Sequence, residues 1–325
     1  MVNWPFLKKK AMSNQIAIKA ENLVKKYDQD KKGDGKITAL AGVTFEVKNG
    51  EIFGFIGPDG AGKTSLFRIL TTLLLPEEGT ATVHGLDIKN DFKEIRNSIG
   101  YMPGKFALYQ DLTVEENLNL FASIFKTTIE ANYDLIKDIY EQIAPFKDRR
   151  AGKLSGGMKQ KLGLSCALIH KPKILILDEP TTGVDAVSRK EFWEMLRKLR
   201  DGGLTILVST PYMDEAEQCD KVALMQEGKI LSIDTPDGIT EKFEKPIWAV
   251  KGKDMYQILQ DLRAFEETDS CFAFGESHHL VLKNEKTDAK AIHAYLLSKD
   301  HEGLSVERIK PGIEDTFMDL MLHQS

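Results

Sequence analysis

Residues 52–64 read Ile52-Phe53-Gly54-Phe55-Ile56-Gly57-Pro58-Asp59-Gly60-Ala61-Gly62-Lys63-Thr64. The apolar run between Gly50 and Gly57 predicts a strand buried on both faces. From Thr64 to about Leu75 the apolar spacing is helical, and it ends at Pro76. Between the two, Gly57 to Thr64 fits the spacing GxxxxGK[ST], with the strand before and the helix after that this spacing requires. Glycines at such positions let backbone N–H groups wrap a phosphate, and the helix start adds its positive end. Lys63 is expected to neutralise the β- and γ-phosphates and Thr64 to place its hydroxyl on Mg²⁺. Gly57, Pro58, Asp59, Gly60, Ala61, Gly62, Lys63, Thr64 and Ser65 are thus the expected contacts of a nucleoside triphosphate with its Mg²⁺. A glycine-rich turn without this role is the plainer alternative. The strand, the lysine, the threonine and the helix, all in place, argue against it.

Two more stretches carry chemistry. The strand Lys173-Ile174-Leu175-Ile176-Leu177 ends in the adjacent acids Asp178 and Glu179. Asp178 suits the Mg²⁺ shell, and Glu179 suits a base that takes a proton from an attacking water. Alone, two solvated acids at a strand end would be the simpler reading; beside the first motif the chemical one is favoured. Upstream, Leu154-Ser155-Gly156-Gly157-Met158 reads as a second anion nest, opening a helix over Met158 to Leu168. One nucleotide needs one cradle, so a second cradle implies a second protomer.

The rest of the pattern frames these motifs. Residues 16–56 read as short strands around a turn from Asp28 to Lys36, and 80–101 as strands with a short helix. Residues 112–170 are mostly helical, broken near Pro145 and at Gly156-Gly157. A helix over Ser188 to Arg200 precedes the strand Thr205–Ser209, and two strands meet at the turn Glu227-Gly228. Alternating buried strands and helices predict a parallel α/β sheet, with a helical subdomain at about 104–155 inserted into it. The predicted boundaries are a 1–15 extension, a 16–235 nucleotide-binding domain and a 246–325 accessory domain. That last stretch reads strand, helix, strand, strand, helix, strand, helix, a small α+β domain of the split βαβ kind. His278-His279 is a tempting metal pair, but neighbours on a strand point to opposite faces. Asp28-Gln29-Asp30-Lys31-Lys32-Gly33 resembles a calcium loop, yet Lys32 and Ala39 stand where that loop needs ligands.

Composition narrows the class. The 325 residues suffice for one large domain and a smaller one. A net charge of -5 gives no bias towards nucleic acid or anionic lipid. Cys166, Cys219 and Cys271 are scattered, as expected of reduced thiols rather than a metal site. No apolar run approaches the ~18–20 residues that cross a bilayer. The start, Met1 to Lys10, lacks the order of a secretory signal, and Met12 is an alternative start. The expectation is a cytoplasmic polypeptide that reaches the inner face of the membrane through a partner.

Taken together, residues 16–235 resemble the nucleotide-binding subunit of an ABC transporter, a P-loop NTPase; LSGGM between the two P-loop motifs is highly specific. The resemblance implies an ATPase that binds ATP and Mg²⁺ in a head-to-tail dimer. Ser155, Gly156 and Gly157 would then touch the partner's γ-phosphate. Thr182-Gly183-Val184-Asp185 matches the D-loop lining the dimer seam. Tyr27 matches the aromatic that stacks on adenine, against the plainer reading of a strand-edge tyrosine. The stretches Asp111 to Leu118 and Tyr212 to Glu217 resemble the daunorubicin-resistance-like exporters. Those pair with an ABC-2-type integral-membrane permease, and appended C-terminal domains are common among them. The rival class is a soluble ABC ATPase acting on nucleic acid or ribosomes. Such proteins usually carry two cassettes, basic arms or coiled-coil insertions, none of which this sequence has.

Two family positions depart. Gly104, ending Ile99-Gly100-Tyr101-Met102-Pro103-Gly104, stands where the family has the Q-loop glutamine. Lys105 and Gln110 are near but out of register. Pro211 stands where the family has the switch histidine, and it offers neither an imidazole nor an N–H. Losing one transition-state hydrogen bond of this kind costs about 3–4 kcal/mol. Asp59 adds a negative charge where the family prefers Asn. These departures predict an own site that hydrolyses slowly and an intact signature that completes the site of a second, non-identical cassette. In the competing reading Glu179 still activates water and neighbouring groups replace the missing contacts. Neither cargo nor transport direction is written in these residues.

Overall fold

A computed structural model describes residues 15–28, 35–104, 108–284 and 288–323. The N-terminal extension before Gln15, the calcium-like stretch after Asp28 and Lys105 lie outside the described residues. The chain divides into two compact units, Met1–Pro236 and Asp237–Ser325. No helix among the described residues is long and apolar enough to cross a membrane.

The first unit runs β1 (Ile16–Asp28), β2 (Lys36–Lys48), β3 (Ile52–Ile56), α1 (Lys63–Leu70), β4 (Glu78–Val83), β5 (Leu86–Asp87), α2 (Phe92–Ser98) and β6 (Ile99–Met102). It continues with α3 (Val114–Ile124), α4 (Tyr133–Tyr140), α5 (Gly156–Leu168), β7 (Ile174–Asp178), α6 (Ala186–Asp201), β8 (Thr205–Thr210), β9 (Lys221–Gln226) and β10 (Lys229–Asp234). Every residue of β3, β7 and β8 is buried, so these strands can sit only inside a sheet covered on both faces. They form the centre of a six-stranded sheet in the order β10-β9-β3-β8-β7-β6. All its pairings are parallel except the edge pair β9 and β10. A second, antiparallel sheet has the order β2-β1-β4-β5. Rings from both sheets and α1 meet in one core: Phe45 on Phe55 at 4.9 Å, Phe55 on Phe53 at 5.1 Å and on Phe67 at 5.7 Å. This packing anchors β3 and α1, and with them the loop that joins them.

Three local expectations are corrected. The strands before residue 52 are long rather than short: β1 and β2 each span 13 residues. A register shift around Asn22, whose φ is 51°, interrupts their alternation and hides their length from a period-two reading. Helix α1 stops at Leu70 rather than near Leu75. Thr72 turns left-handed with φ of 60°, Leu73 and Leu74 both donate back to the Arg68 carbonyl, and Arg96 grips the Thr72 hydroxyl and carbonyl. Helix α5 begins at Gly156, two residues earlier than expected, because Ser155 caps it by accepting from Met158 N–H at 3.3 Å.

Between β6 and β7 lie α3, α4 and α5, with α5 packed against the other two. A capping box of Thr113 and Glu116 starts α3. The Asn117 amide, fully buried, accepts from Tyr109 N–H and donates to the Tyr109 and Thr113 carbonyls, so the turn entering α3 is fixed.

A short helix, α7 (Pro236–Thr240), lies at the boundary of the units. The second unit then runs β11 (Ile247–Lys251), α8 (Met255–Ala264), β12 (Thr268–Phe274), β13 (Ser277–Leu282), α9 (Ala289–Leu297), β14 (Ser305–Ile309) and α10 (Ile313–His323). Its sheet is wholly antiparallel in the order β12-β13-β11-β14, the split βαβ arrangement. Val250, Leu280 and Leu282 of the sheet pack with Ile258, Leu262, Ile292 and Leu296 of α8 and α9. His278 reaches the Met255 carbonyl and His279 the Asp315 carboxylate, so the two rings part to different partners.

Candidate active site

The carboxyl ends of β3, β7 and β8 lie side by side, and the polar residues gather there, where open α/β sheets bind their ligands. The loop Gly57–Gly62 leaves β3 and enters α1. Two of its glycines are obligatory. A Cβ on Gly57 would lie 2.1 Å from the Met225 carbonyl oxygen. Gly62 has φ of 102°, and a Cβ there would lie 2.2 Å from the Ala39 carbonyl oxygen. Gly62 caps α1 without a side-chain partner, which leaves the first N–H groups of the helix for a ligand.

Lys63 turns back under this loop. Its ammonium donates to the Gly57 carbonyl at 2.7 Å and the Pro58 carbonyl at 2.9 Å, and it lies 3.7 Å from the Glu179 carboxylate. Burial pushes its pKa below the usual lysine value, against the pull of Glu179, Asp59 and Asp178. Asp59 is itself exposed. The cradle therefore sets a buried cation beside the uncapped start of α1, the surroundings a polyphosphate requires.

The two acids are held differently. Asp178 is buried; its Oδ1 accepts from the Ser209 hydroxyl at 2.6 Å and from the Thr64 hydroxyl at 3.3 Å. Thr64 and Asp178 thus present two hard oxygens at one point, the donor set that suits Mg²⁺ arriving with phosphates. Glu179 is strained: its φ is 48°, left-handed for a residue with a side chain. Its N–H donates to the Ser209 carbonyl at 3.1 Å and to the Ser209 hydroxyl at 3.0 Å, and these bonds hold the strained backbone in place. The turn aims its carboxylate at the loop beside Lys63.

Tyr27 comes from the other sheet. Its hydroxyl is 3.1 Å from the Ser65 hydroxyl, so the ring stands at the start of α1, partly exposed. The Lys25 ammonium lies 5.5 Å from its centroid.

Ser155, Gly156 and Gly157 gather elsewhere. Among the described residues no hydrogen bond or ion pair joins them to residues 57–64. They meet the loop after Glu179 and the start of α6 instead: a Cβ on Gly156 would lie 3.2 Å from the Gly183 carbonyl oxygen, and one on Gly157 2.6 Å from the Ser188 hydroxyl of α6. The exposed Asp185 caps α6 by accepting from Ser188 N–H at 3.0 Å.

Gly104 lies against the acids, and Pro211 follows a residue bonded to the loop. A Cβ on Gly104 would lie 3.1 Å from the Asp178 carbonyl oxygen and 3.7 Å from the Glu179 Cβ. Gly104 opens onto a cleft of about 470 Å³ lined also by Phe121, Gln160, Gly163, Glu179 and Val184. Pro211 follows Thr210, whose carbonyl accepts from Gly57 N–H at 3.3 Å. Sequence reasoning passed over Ser209, which holds both acids. A serine inside an apolar strand run carries no motif, and its value depends on β7 lying beside β8.

The sequence profile described as "ABC transporter" matches residues 40–182. A probable multidrug ABC transporter ATP-binding protein of Escherichia coli is 42% identical over 288 residues, 87% of this chain but 49% of that protein, so the chain spans about half its length. The Nod factor export ATP-binding protein I of Burkholderia lata is 36% identical, with 88% of this chain and 93% of that protein covered. A daunorubicin resistance ATP-binding protein of Streptomyces coeruleorubidus is 38% identical over 95% and 96% of the two chains. Among solved structures, a dimeric post-hydrolysis state of an ATP-binding cassette bound to ADP and Pi superposes with a TM-score of 0.60. It is 25% identical and covers 67% of this chain and 98% of its own.

Proposed function

The chain belongs to the ABC transporter ATP-binding family, and on that premise we infer that it is the ATP-binding ATPase subunit of an export complex. It pairs head to tail with a second cassette and drives an integral-membrane permease of the ABC-2 kind from the inner face of the membrane. The observation that carries the reading is the convergence, at the carboxyl ends of β3 and β7, of the Lys63–Glu179 ion pair and the Thr64–Asp178 hydrogen bond.

Each side chain takes a role from its place. Lys63 and the N–H groups at the start of α1 bind the phosphates. Thr64 and Asp178 hold Mg²⁺, which neutralises phosphate charge when bound. Tyr27 supplies a stacking face for adenine beside Ser65. Glu179 takes the proton of the attacking water. Ser155, Gly156 and Gly157, which among the described residues make no hydrogen bond to this chain's own loop, offer their donors to the partner's γ-phosphate, with Asp185 at the seam. The helices between β6 and β7 carry the permease-facing groove, and the cycle is one of closure on binding and reopening after hydrolysis.

Gly104 and Pro211 support a slow own site. Gly104 lies against Asp178 and Glu179 with no side chain to offer, and a cleft opens there. Pro211, which has no N–H to donate, follows Thr210, whose carbonyl accepts from Gly57 N–H. The competent site of the pair is then the one formed by the partner's loop and this chain's signature, and the partner is a non-identical cassette.

Tagged chain purified from its native membrane is expected to bring down a polytopic membrane protein and a second cassette, with ATP turnover in the assembled complex. Co-sedimentation with ribosomes or DNA and no membrane partner would replace this reading with that of a soluble ABC ATPase.

A further inference from the structure

Glu215 is a carboxylate with 2% exposure, in a 3₁₀ turn that carries none of the roles above. Buried charge persists only when paired and hydrogen-bonded, and Glu215 is both. Its Oε2 accepts from the Thr181 hydroxyl at 3.0 Å and the Thr210 hydroxyl at 2.6 Å, and its Oε1 accepts from Arg189 Nε at 3.1 Å.

These partners come from different parts of the site. Thr181 stands two residues after Glu179 and opens the 182–185 loop. Arg189 lies in the first turn of α6, just past that loop, where it also meets Asp214 at 3.1 Å and stacks 4.3 Å from the Tyr212 centroid. Thr210 ends β8 next to Pro211; its hydroxyl accepts from Tyr212 N–H at 3.1 Å and its carbonyl from Gly57 N–H. One carboxylate therefore joins the loop that Gly156 rests on, and the first turn of α6 that Gly157 rests on, to the segment that touches the P-loop. Pro211 contributes no hydrogen to this segment, so its position is set by Thr210, Tyr212 and, through them, Glu215.

We propose that Glu215 is a positioning residue that makes the 182–185 loop and the Thr210–Tyr212 segment move as one piece, and so couples the signature side of this chain to its P-loop. The proposal rests on the reading of the chain as half of an ATP-closed cassette pair. In such a pair the signature serves one nucleotide and the P-loop the other, so this junction links the two sites.

The test is a pair of variants in the assembled complex. Glu215→Gln keeps the shape and the hydroxyl contacts but removes the charge facing Arg189. Thr181→Val keeps the buried volume and removes one bond, and it carries the test if the first variant does not fold. Coupling predicts that kcat falls at least tenfold in Glu215→Gln and about threefold in Thr181→Val. KM and the affinity of the isolated chain for MgATP stay within about twofold. The double variant falls no further than Glu215→Gln alone, the non-additivity of groups acting through one junction. A merely structural role lowers the melting temperature, leaves kcat within twofold and gives additive losses, and any of these kinetic results overturns the proposal. Loss of MgATP affinity in the isolated chain also overturns it. If the wild-type complex itself neither binds nor turns over ATP, the parent reading fails. If the wild type turns over and the variants match it, only the coupling fails.

Discussion

Lys63→Met is expected to raise the Kd of the isolated chain for MgATP by about 30-fold or more, the range for truncating one side of a desolvated charge pair. Lys63 is 3% exposed, and its ammonium is already held by the Gly57 and Pro58 carbonyls. Binding therefore needs little ordering of this side chain. It does need the cation: a triphosphate enters a cradle that already contains Glu179, with Asp178 and the exposed Asp59 close enough to act on Lys63. Without Lys63 those carboxylates meet the phosphates unopposed. Methionine keeps the unbranched stem in the core, which separates loss of charge from loss of packing. Nucleotide titration reads the result, and a Kd within threefold of wild type counts against the placement of phosphate in this loop.

Ser155→Ala is expected to lower turnover of the assembled complex by roughly 100–1000-fold, the loss typical of one transition-state donor. The geometry supports such a donor. The Ser155 oxygen accepts from Met158 N–H, so one lone pair is committed to capping α5 and the hydroxyl hydrogen is left to point outward. Removing the cap also costs about 1 kcal/mol of stability. Ser155→Thr separates these effects, because it retains both the cap and the donor and is expected to keep most of the turnover. Ser155→Ala with unchanged turnover would show that this nest is only a helix start.

The parts legible in the sequence are those whose signal is local. The loop from Gly57 to Thr64 announces its strand, its turn and its helix within 25 residues, and the apolar strand before Asp178 needs no distant information. The site's finer construction is not local. Ser209 matters because it lies 31 positions from Asp178 yet 2.6 Å from its carboxylate. Glu215 lies in the stretch Tyr212 to Glu217, which carries a resemblance but no role for the acid until the fold closes Thr181 and Arg189 over it. The end of α1 at Leu70 depends on Arg96 gripping Thr72, a tertiary contact that overrides an apolar helical period continuing towards Leu75. Gly104 and Pro211 were readable as departures, but only the fold shows Gly104 against the acids and Thr210, just before Pro211, against Gly57.

These two positions bear on the central claim, that the chain binds ATP in its own loop while its signature serves a faster site on another cassette. The direct measurement is steady-state ATP turnover of the complete assembly with Glu179→Gln in this chain alone. The substitution removes the base without changing the size of the side chain. Most of the turnover is expected to survive, because the productive base belongs to the partner. Complete loss of turnover would contradict it, and would mean that Glu179 performs the chemistry despite Gly104 and Pro211.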